Sequence, residues 1–366
     1  MENVDLMARE AAASDDTARS ARAVGLRYIR DSQPGIRRKR AGRGFSYIDV
    51  DGRKIKDNVR LQRIKDLRIP PAWEDVWICP VLNGHLQATG RDARGRKQYL
   101  YHHRWRKVRE EDKFNRMIAL GTVLPVIRQT VEGDLASGKL SRSKVLATVV
   151  RLLEMTLIRI GNKEYARDNR SFGLTTLRDR HVDISGPVVR FHFRGKSGKE
   201  HSVEVQDRRL ARIVKNCRDI PGYELFQYVD EEGSRRVIDS EDVNDYLREI
   251  AGEQFTAKDF RTWGGTVHAA HVLLEFGEFD SKTEAKKRIV QAVKEVSSQL
   301  GNKPSICRKY YIHPAVLEAY EEGDLPALAA ESSRFESDDS PHSLSPIERV
   351  VMAVLKWDSE RLAASA

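Results

Sequence analysis

Three cysteines in 366 residues, Cys79, Cys217 and Cys307, with no Cys-x-x-Cys spacing, leave neither a disulfide framework nor a thiolate zinc site to hold this chain together. A reducing compartment suits that usage. No apolar run approaches the roughly 20 residues that span a bilayer, and the first residues are acidic and polar rather than basic and then apolar. Neither a membrane span nor an export signal is expected. Clustered carboxylates are scarce as well. Asp49-Val50-Asp51 is the one Asp-x-Asp of the expected folded part, and it runs into the turn signal Asp51-Gly52, which speaks against a metal-dependent nuclease or topoisomerase. A nucleotide loop is missing too. Gly195-Lys196-Ser197 mimics the end of one, but Arg190 stands where its first glycine belongs, and after Gly90 and Gly95 comes Arg96 instead of lysine.

What is present is positive charge. With 64 Lys and Arg against 54 Asp and Glu, the net charge is +10 and the pI about 9.4, so the partner sought is a polyanion, most simply nucleic acid. The length suffices for two cored domains. Residues 1–24, rich in Ala, Ser and Asp, read as a loose leader, and 25–112 read as short strands broken by turns. From 113 to 325 helical periodicity dominates, interrupted by one strand pair around 188–205. The remainder, 326–366, reads as a disordered Ser/Asp/Pro linker followed by an amphipathic stretch, Pro346 to Leu362, that could dock loosely as a helix.

Several cationic residues sit where plain surface charge is a poor explanation. Val145, Val149, Leu152 and Thr156 form one face of a helix expected over Ser141 to Ile160, and Arg159 is next on that core stripe, with Gly161 ending the helix. Lys196 lies between Gly195 and Gly198 at a hairpin tip, after a strand with Val189, Phe191 and Phe193 on one face. Arg261 lies in the first turns of a helix that Thr256 and Asp259 cap, with Lys258 three residues earlier on the same face. Gly265 on that face would let a phosphate backbone come close.

The next helix is bounded by a Ser281/Glu284 capping box and by Gly301, with Ile289, Val293, Val296 and Leu300 as its core stripe. Asn302 opens a turn, Pro304 starts a short helix and Pro314 is expected to stop it. The chain then folds back, so that Asn302 and Tyr311 converge instead of lying about 13 Å apart on one straight helix. A tyrosine there is a candidate nucleophile, but a free phenol needs cations around the group it attacks.

Arg159 two residues before Gly161, Lys196 after Gly195, Arg261 in Lys258-Asp259-Phe260-Arg261, and Asn302 nine residues ahead of Tyr311 together resemble the ordered catalytic set of the type IB DNA topoisomerases, in the small poxvirus-like form found also in bacteria. Gln98-Tyr99-Leu100-Tyr101 is similar to the family's Gln-Tyr-Phe-Tyr element in the DNA-contacting domain. Asn302, where the poxvirus enzymes carry histidine, resembles the bacterial branch; an amide donates a hydrogen bond but carries no titrating proton.

The resemblance implies an α+β fold, a small β-rich N-terminal DNA-binding domain plus a larger mostly α catalytic domain, forming a clamp around duplex DNA. It implies ATP-independent relaxation of positive and negative supercoils through a 3′-phosphotyrosyl intermediate on Tyr311. Arg159, Arg261 and Asn302 would stabilise the transition state, and Lys196 would be the general acid, since an ammonium can give up a proton and a guanidinium cannot. DNA contacts would come from Lys258, Tyr165, Gln98, Tyr99, Tyr101 and the run Arg37, Arg38, Lys39, Arg40, with Gln98 the base reader and the basic runs on phosphates. No cofactor, ATP or divalent metal is implied; the partner is double-stranded DNA, the protein a monomer, its place the cytoplasm at the nucleoid. Two other readings stand beside this one. A tyrosine recombinase would carry histidine at Lys258, and a non-catalytic DNA-binding protein would have no reason to keep the whole set in order.

Overall fold

The computed structural model describes residues 18–364 other than 43, 94, 253–254 and 333–339, and of 107–113 and 115 the backbone only. The expected leader lies outside the described residues as far as position 17. From Ala18 the chain is already helical, and Ala21 is buried with Leu26 and Trp105, so packed structure starts earlier than the composition implied. The chain divides into two compact units between Lys113 and Phe114.

The first unit is a five-stranded antiparallel sheet: β1 (Ile36–Ala41), β2 (Gly44–Ile48), β3 (Glu74–Ile78), β4 (Leu86–Arg91) and β5 (Lys97–Tyr101), in the order β2-β1-β3-β4-β5. Helix α1 (Asn58–Asp66) packs Ile64 into a core with Ile36, Ile55, Val76, Ile78 and Ala88. The Asp-x-Asp serves the turn after β2. Asp49 Oδ1 accepts the N–H groups of Asp51 and Arg53 at 3.1 and 2.9 Å, and Gly52 supplies the positive φ of 80°.

The second unit is mostly helical. Helix α2 (His103–Ala136) begins in the first unit and ends in the second. Helix α3 (Arg142–Thr156), capped by Ser141, buries Val145, Leu146, Ala147, Val149, Val150, Leu152 and Leu153, which cover most of its circumference and leave a narrow outer strip with Arg151, Glu154 and Met155. It is a core helix, not a one-sided one. It also stops earlier than the periodicity predicts: Leu157 takes a left-handed φ of 54°, and the chain leaves the helix before Arg159.

After α4 (Lys163–Asn169) come three strands, β6 (Val182–Ser185), β7 (Val188–Arg194) and β8 (Glu200–Gln206), in one antiparallel sheet. Val189, Phe191 and Phe193 are buried on one face of β7, in agreement with the alternation. Helix α5 (Arg208–Arg218) follows, then a second small sheet pairs β9 (Gln227–Val229) with β10 (Arg235–Val237). The expectation of a single strand pair missed β6, β9 and β10, which are too short to show a period.

Helix α6 (Ser240–Ala251) leads to α7 (Ala257–Phe276), which carries Arg261, and α8 (Lys282–Leu300) ends at Gly301 with φ 62°. Helix α9 (Pro304–Tyr310) is a two-turn segment. Pro314 does not stop it; the chain leaves helical geometry at Tyr311, φ −132°, and Pro314 is the first residue of α10 (Pro314–Glu322).

The C-terminal part also departs from expectation. Leu325–Ser332 is helix α11, and only 333–339 of the expected linker lie outside the described residues. Pro346–Ala364 is helix α12, with Val350, Val351, Val354 and Leu355 buried in the core of this unit. Its Glu348 is buried beside α7, accepting the Trp263 indole N–H at 2.9 Å and the Arg128 guanidinium at 2.7 Å. Burial would raise the Glu348 carboxyl, but Arg128 and Trp263 outweigh it and hold it below the usual range. Its contribution is therefore complete at neutral pH and lost as the pH falls through its depressed value. Glu348→Ala, which leaves Arg128 paired with Glu154 alone and the buried Trp263 N–H without its acceptor, is expected to cost about 2 kcal/mol in the denaturant unfolding free energy at pH 7. That cost should shrink as the pH is lowered.

Candidate active site

Tyr311 stands at the C-terminal end of α9, and its backbone passes over α7. A methyl group on Gly265 would come within 2.6 Å of the Tyr311 carbonyl oxygen and 3.4 Å of its Cβ. Gly265 thus makes room for the tyrosine's own backbone, not for a phosphate, which corrects the expectation for that glycine. Thr266 one residue on donates to Thr262 O and accepts the His313 N–H at 3.0 Å, pinning the chain just after Tyr311.

Arg261 projects from the second turn of α7 into the interior and is 4% exposed. Thr256 N–H and Oγ1 both donate to Asp259 at 2.8 Å, the expected cap that fixes this helix start. The guanidinium donates to Leu157 O, where α3 ends, and at 2.9 Å to Leu300 O, where α8 ends. Its Cζ lies 5.2 Å from the Tyr311 ring centroid. Burial, with Arg159 adding repulsion, lowers the guanidinium to about 10.

Arg159 belongs to an extended segment held by backbone contacts. Its carbonyl accepts Leu174 N–H at 2.8 Å, and Ile160 O accepts Thr175 N–H at 2.7 Å. Gly161 takes φ 108°, and a methyl on Gly173 would meet Gly161 N at 2.6 Å, so the Arg-x-Gly pattern reflects two backbones in contact. The guanidinium donates to Asn302 Oδ1. Asn302 in turn follows the left-handed Gly301, and its carbonyl accepts Lys199 Nζ at 3.0 Å.

Lys196 opens the β7–β8 turn, which is closed by Gly195 N–H to Lys199 O at 2.7 Å, with Ser197 and Gly198 at φ 64° and 76°. Burial alone would push the Tyr311 phenol up, but Arg261, then Arg159, and further on Lys196 prevail and hold it below its usual range. Arg159, Lys196, Arg261 and Asn302 therefore share one site with Tyr311. Two donors in it, Arg261 Nε and Asn302 Nδ2, are buried without a hydrogen-bond partner among the described residues.

Sequence reasoning passed over His201 and Lys199. Lys199 was in view as part of the hairpin, while His201 pairs directly with Phe193 across the strands and shows only when the register is known. The Cys307 thiol is buried one turn before Tyr311, and burial pushes it up, away from the reactive range.

Comparison with known proteins shows the family. Residues 102–337 match the family described as Eukaryotic DNA topoisomerase I, catalytic core, and residues 44–92 match Bacterial DNA topoisomerase IB, N-terminal domain. The DNA topoisomerase 1B of Acanthamoeba polyphaga mimivirus is 32% identical over 296 residues, covering 78% of this chain and 88% of the viral protein. That of Vaccinia virus (strain Copenhagen) is 22% identical over 270 residues, 72% of this chain and 82% of the other. The chain belongs to the type IB DNA topoisomerases.

In this topoisomerase the other expected DNA contacts are spread out. Lys258 is exposed on the first turn of α7, and Tyr165 is exposed on α4. In the first unit, Arg37 to Arg40 lie on strand β1. Arg38 is committed within the domain, donating to Pro70 O at 3.2 Å and lying 4.1 Å over the Phe45 ring, whereas Arg37, Lys39 and Arg40 are exposed. Gln98 donates to Asp92 at 3.0 Å, and Asp92 also binds Arg96 at 2.6 Å. Tyr99 and Tyr101 stack 6.0 Å apart on the opposite face of β5 from Gln98, so the Gln-Tyr-x-Tyr element presents two separate surfaces. Strands β1 and β5 are three places apart in the sheet, roughly 14 Å at the usual strand spacing.

Gly265→Ala tests the seating of Tyr311. The φ of Gly265 is not positive and alanine suits a helix, so the substitution acts through contact, chiefly the overlap with the Tyr311 carbonyl at 2.6 Å and less so with Leu300 Cδ1 at 3.2 Å. Single-turnover cleavage by this variant is expected to fall on the order of 100-fold, the cost of about 1 Å of misplacement, with duplex affinity unchanged.

Proposed function

We propose that Tyr311, its phenolic proton released to water, attacks a backbone phosphodiester in line, forming a 3′-phosphotyrosyl bond while the 5′-oxygen leaves and takes a proton from Lys196. The observation that carries this reading is a phenol held low by three cations, Arg261, Arg159 and Lys196, beside two buried donors, Arg261 Nε and Asn302 Nδ2, that have no well-formed hydrogen bond among the described residues. An unpaired buried donor costs about 1–3 kcal/mol, and a phosphate oxygen placed there would satisfy it. Arg159 and Arg261 bring positive charge to the non-bridging oxygens, where negative charge grows in the transition state. Because the phosphotyrosyl bond retains the energy of the broken phosphodiester, resealing by reversal of the same steps needs no ATP. The downstream duplex swivels between the two steps and relaxes supercoils of either sign.

The charge that a metal ion would supply comes here from guanidinium and ammonium groups, so the chemistry runs without divalent ions. All five residues come from one chain, and the enzyme acts as a monomer. The first unit binds the duplex as well, through phosphate contacts from Arg37, Lys39 and Arg40 that weaken with salt, and through Gln98, Tyr99 and Tyr101. Tyr165 and Lys258 contact the backbone from the second unit. The substrate places the enzyme on the nucleoid, in the cytoplasm.

Purified protein is expected to relax both positively and negatively supercoiled plasmid with EDTA present and ATP absent. Tyr311→Phe should abolish relaxation and retain DNA binding; relaxation by the variant would remove Tyr311 as the nucleophile. A second expectation concerns pH. The cations around Tyr311 stabilise its phenolate, so Arg159→Ala should raise the phenol and move the rising limb of the single-turnover cleavage profile to more alkaline pH. A uniform drop without displacement would limit Arg159 to the transition state.

A further inference from the structure

The glycines that precede the general acid and the amide, Gly195 before Lys196 and Gly301 before Asn302, face the same side chain. A methyl built on Gly195 would lie 2.6 Å from both Cδ2 and Nε2 of His201 and touch nothing else closely. A methyl on Gly301 would overlap the same imidazole at a neighbouring edge, at 3.0 Å from Nε2 and closer still to Cε1. The ring is thus held between the hairpin and the turn. It also lies flat on Phe193, its register partner across β7 and β8, with centroids 5.0 Å apart and planes 6° from parallel. Phe193 is itself buried in the core, so the ring has a fixed floor.

The backbone geometry of the two glycines separates their roles. Gly301 needs its positive φ to end α8, but Gly195 has φ −93°, which any residue adopts, and its lack of a side chain is explained by the imidazole alone. The surroundings of His201 are mainly cationic: Arg159, Arg261 and Lys199 add to burial in lowering the ring, and outweigh the neighbouring Glu200, which raises it. A neutral ring among cations adds no charge to the site; what it contributes is shape.

We propose that His201 is a positioning residue of strand cleavage, a wedge that seats the Lys196 hairpin against the Asn302 turn and so delivers the general acid to the leaving 5′-oxygen. The proposal rests on the reading of Lys196 as the acid. Its physical basis is that the two glycines and Phe193 close round one ring, so that His201 acts with the Lys199 to Asn302 hydrogen bond of 3.0 Å in setting the hairpin against the turn.

The test uses the full chain and a suicide duplex with either an ordinary or a 5′-phosphorothiolate linkage at the cleavage site, the sulfur leaving group needing no proton. His201→Ala is expected to slow cleavage of the oxygen substrate on the order of 100-fold, the cost of about 1 Å of misplacement, and to recover most of that on the sulfur substrate. His201→Phe, which keeps the stacked ring, should cleave the oxygen substrate near the wild-type rate. Lys196→Ala/His201→Ala should be no slower than Lys196→Ala, because both changes remove the same delivered proton. The inference is overturned if His201→Ala cleaves at the wild-type rate, if the two losses multiply in the double variant, or if Lys196→Ala is rescued by sulfur and His201→Ala is not. If Lys196→Ala itself is not rescued, the acid assignment fails separately, and the double-variant comparison alone decides whether His201 acts through the hairpin.

Discussion

A buried guanidinium organises this enzyme. Arg261 reaches from α7 to the carbonyl at the end of α3 and the carbonyl at the end of α8, and its charge faces the ring of Tyr311. Helix ends leave carbonyls without partners, and here one side chain satisfies two of them while tying three helices to the nucleophile. Among the described residues no carboxylate neutralises it, and Arg159 lies close enough to repel it. Burying such a charge is costly, and the carbonyls offset only part of that cost. The resting site is therefore short of negative charge, which a phosphodiester brings, and binding energy is directed toward the group on which more negative charge develops as the reaction proceeds.

The second constraint is the spacing of backbones. Gly173 against Gly161 sets the height of the Arg159 segment, Gly265 sets that of Tyr311, and Gly195 and Gly301 leave the space that the His201 ring fills. In each case a missing side chain lets a main chain or a ring approach to contact distance, so that functional groups from segments far apart in the chain hold one geometry. The C-terminal helix α12 supports this from behind: Glu348 fixes Trp263, two residues along α7 from Arg261, and joins it to Arg128 and through that to Glu154 of α3.

Much of this architecture is legible in the chain itself. The cap at Thr256 and Asp259, the stop at Gly301, the alternation of Val189, Phe191 and Phe193, and the turn at Asp51-Gly52 are local effects of hydrogen bonding and side-chain direction, and they depend on neighbours a few residues away. The ordered set from Arg159 to Tyr311 is readable for a related reason, since each member sits in a short context that the backbone itself requires. Where local reading fails, the competing force is tertiary. Helix α3 is buried over most of its circumference and stops at Thr156 because the following segment must pair with the Gly173 loop; a strand as short as β6 is formed by its neighbours; α12 is a core helix because α7 and α11 cover it.

The sequence by itself therefore determined the chemical inventory: a tyrosine, two arginines, a lysine and an amide in the order of a type IB topoisomerase, on a basic chain with little use for cysteine or clustered carboxylates. The tertiary structure decided what each of them meets. It turned Arg261 from a residue of a helix face into a buried clasp, committed Arg38 and Gln98 to partners inside the first unit, and gave His201 its place between two glycines. The physical reason is range. Caps and turns are set by neighbours in the chain, while burial, charge and the register of β7 against β8 are sums over groups that only folding brings together.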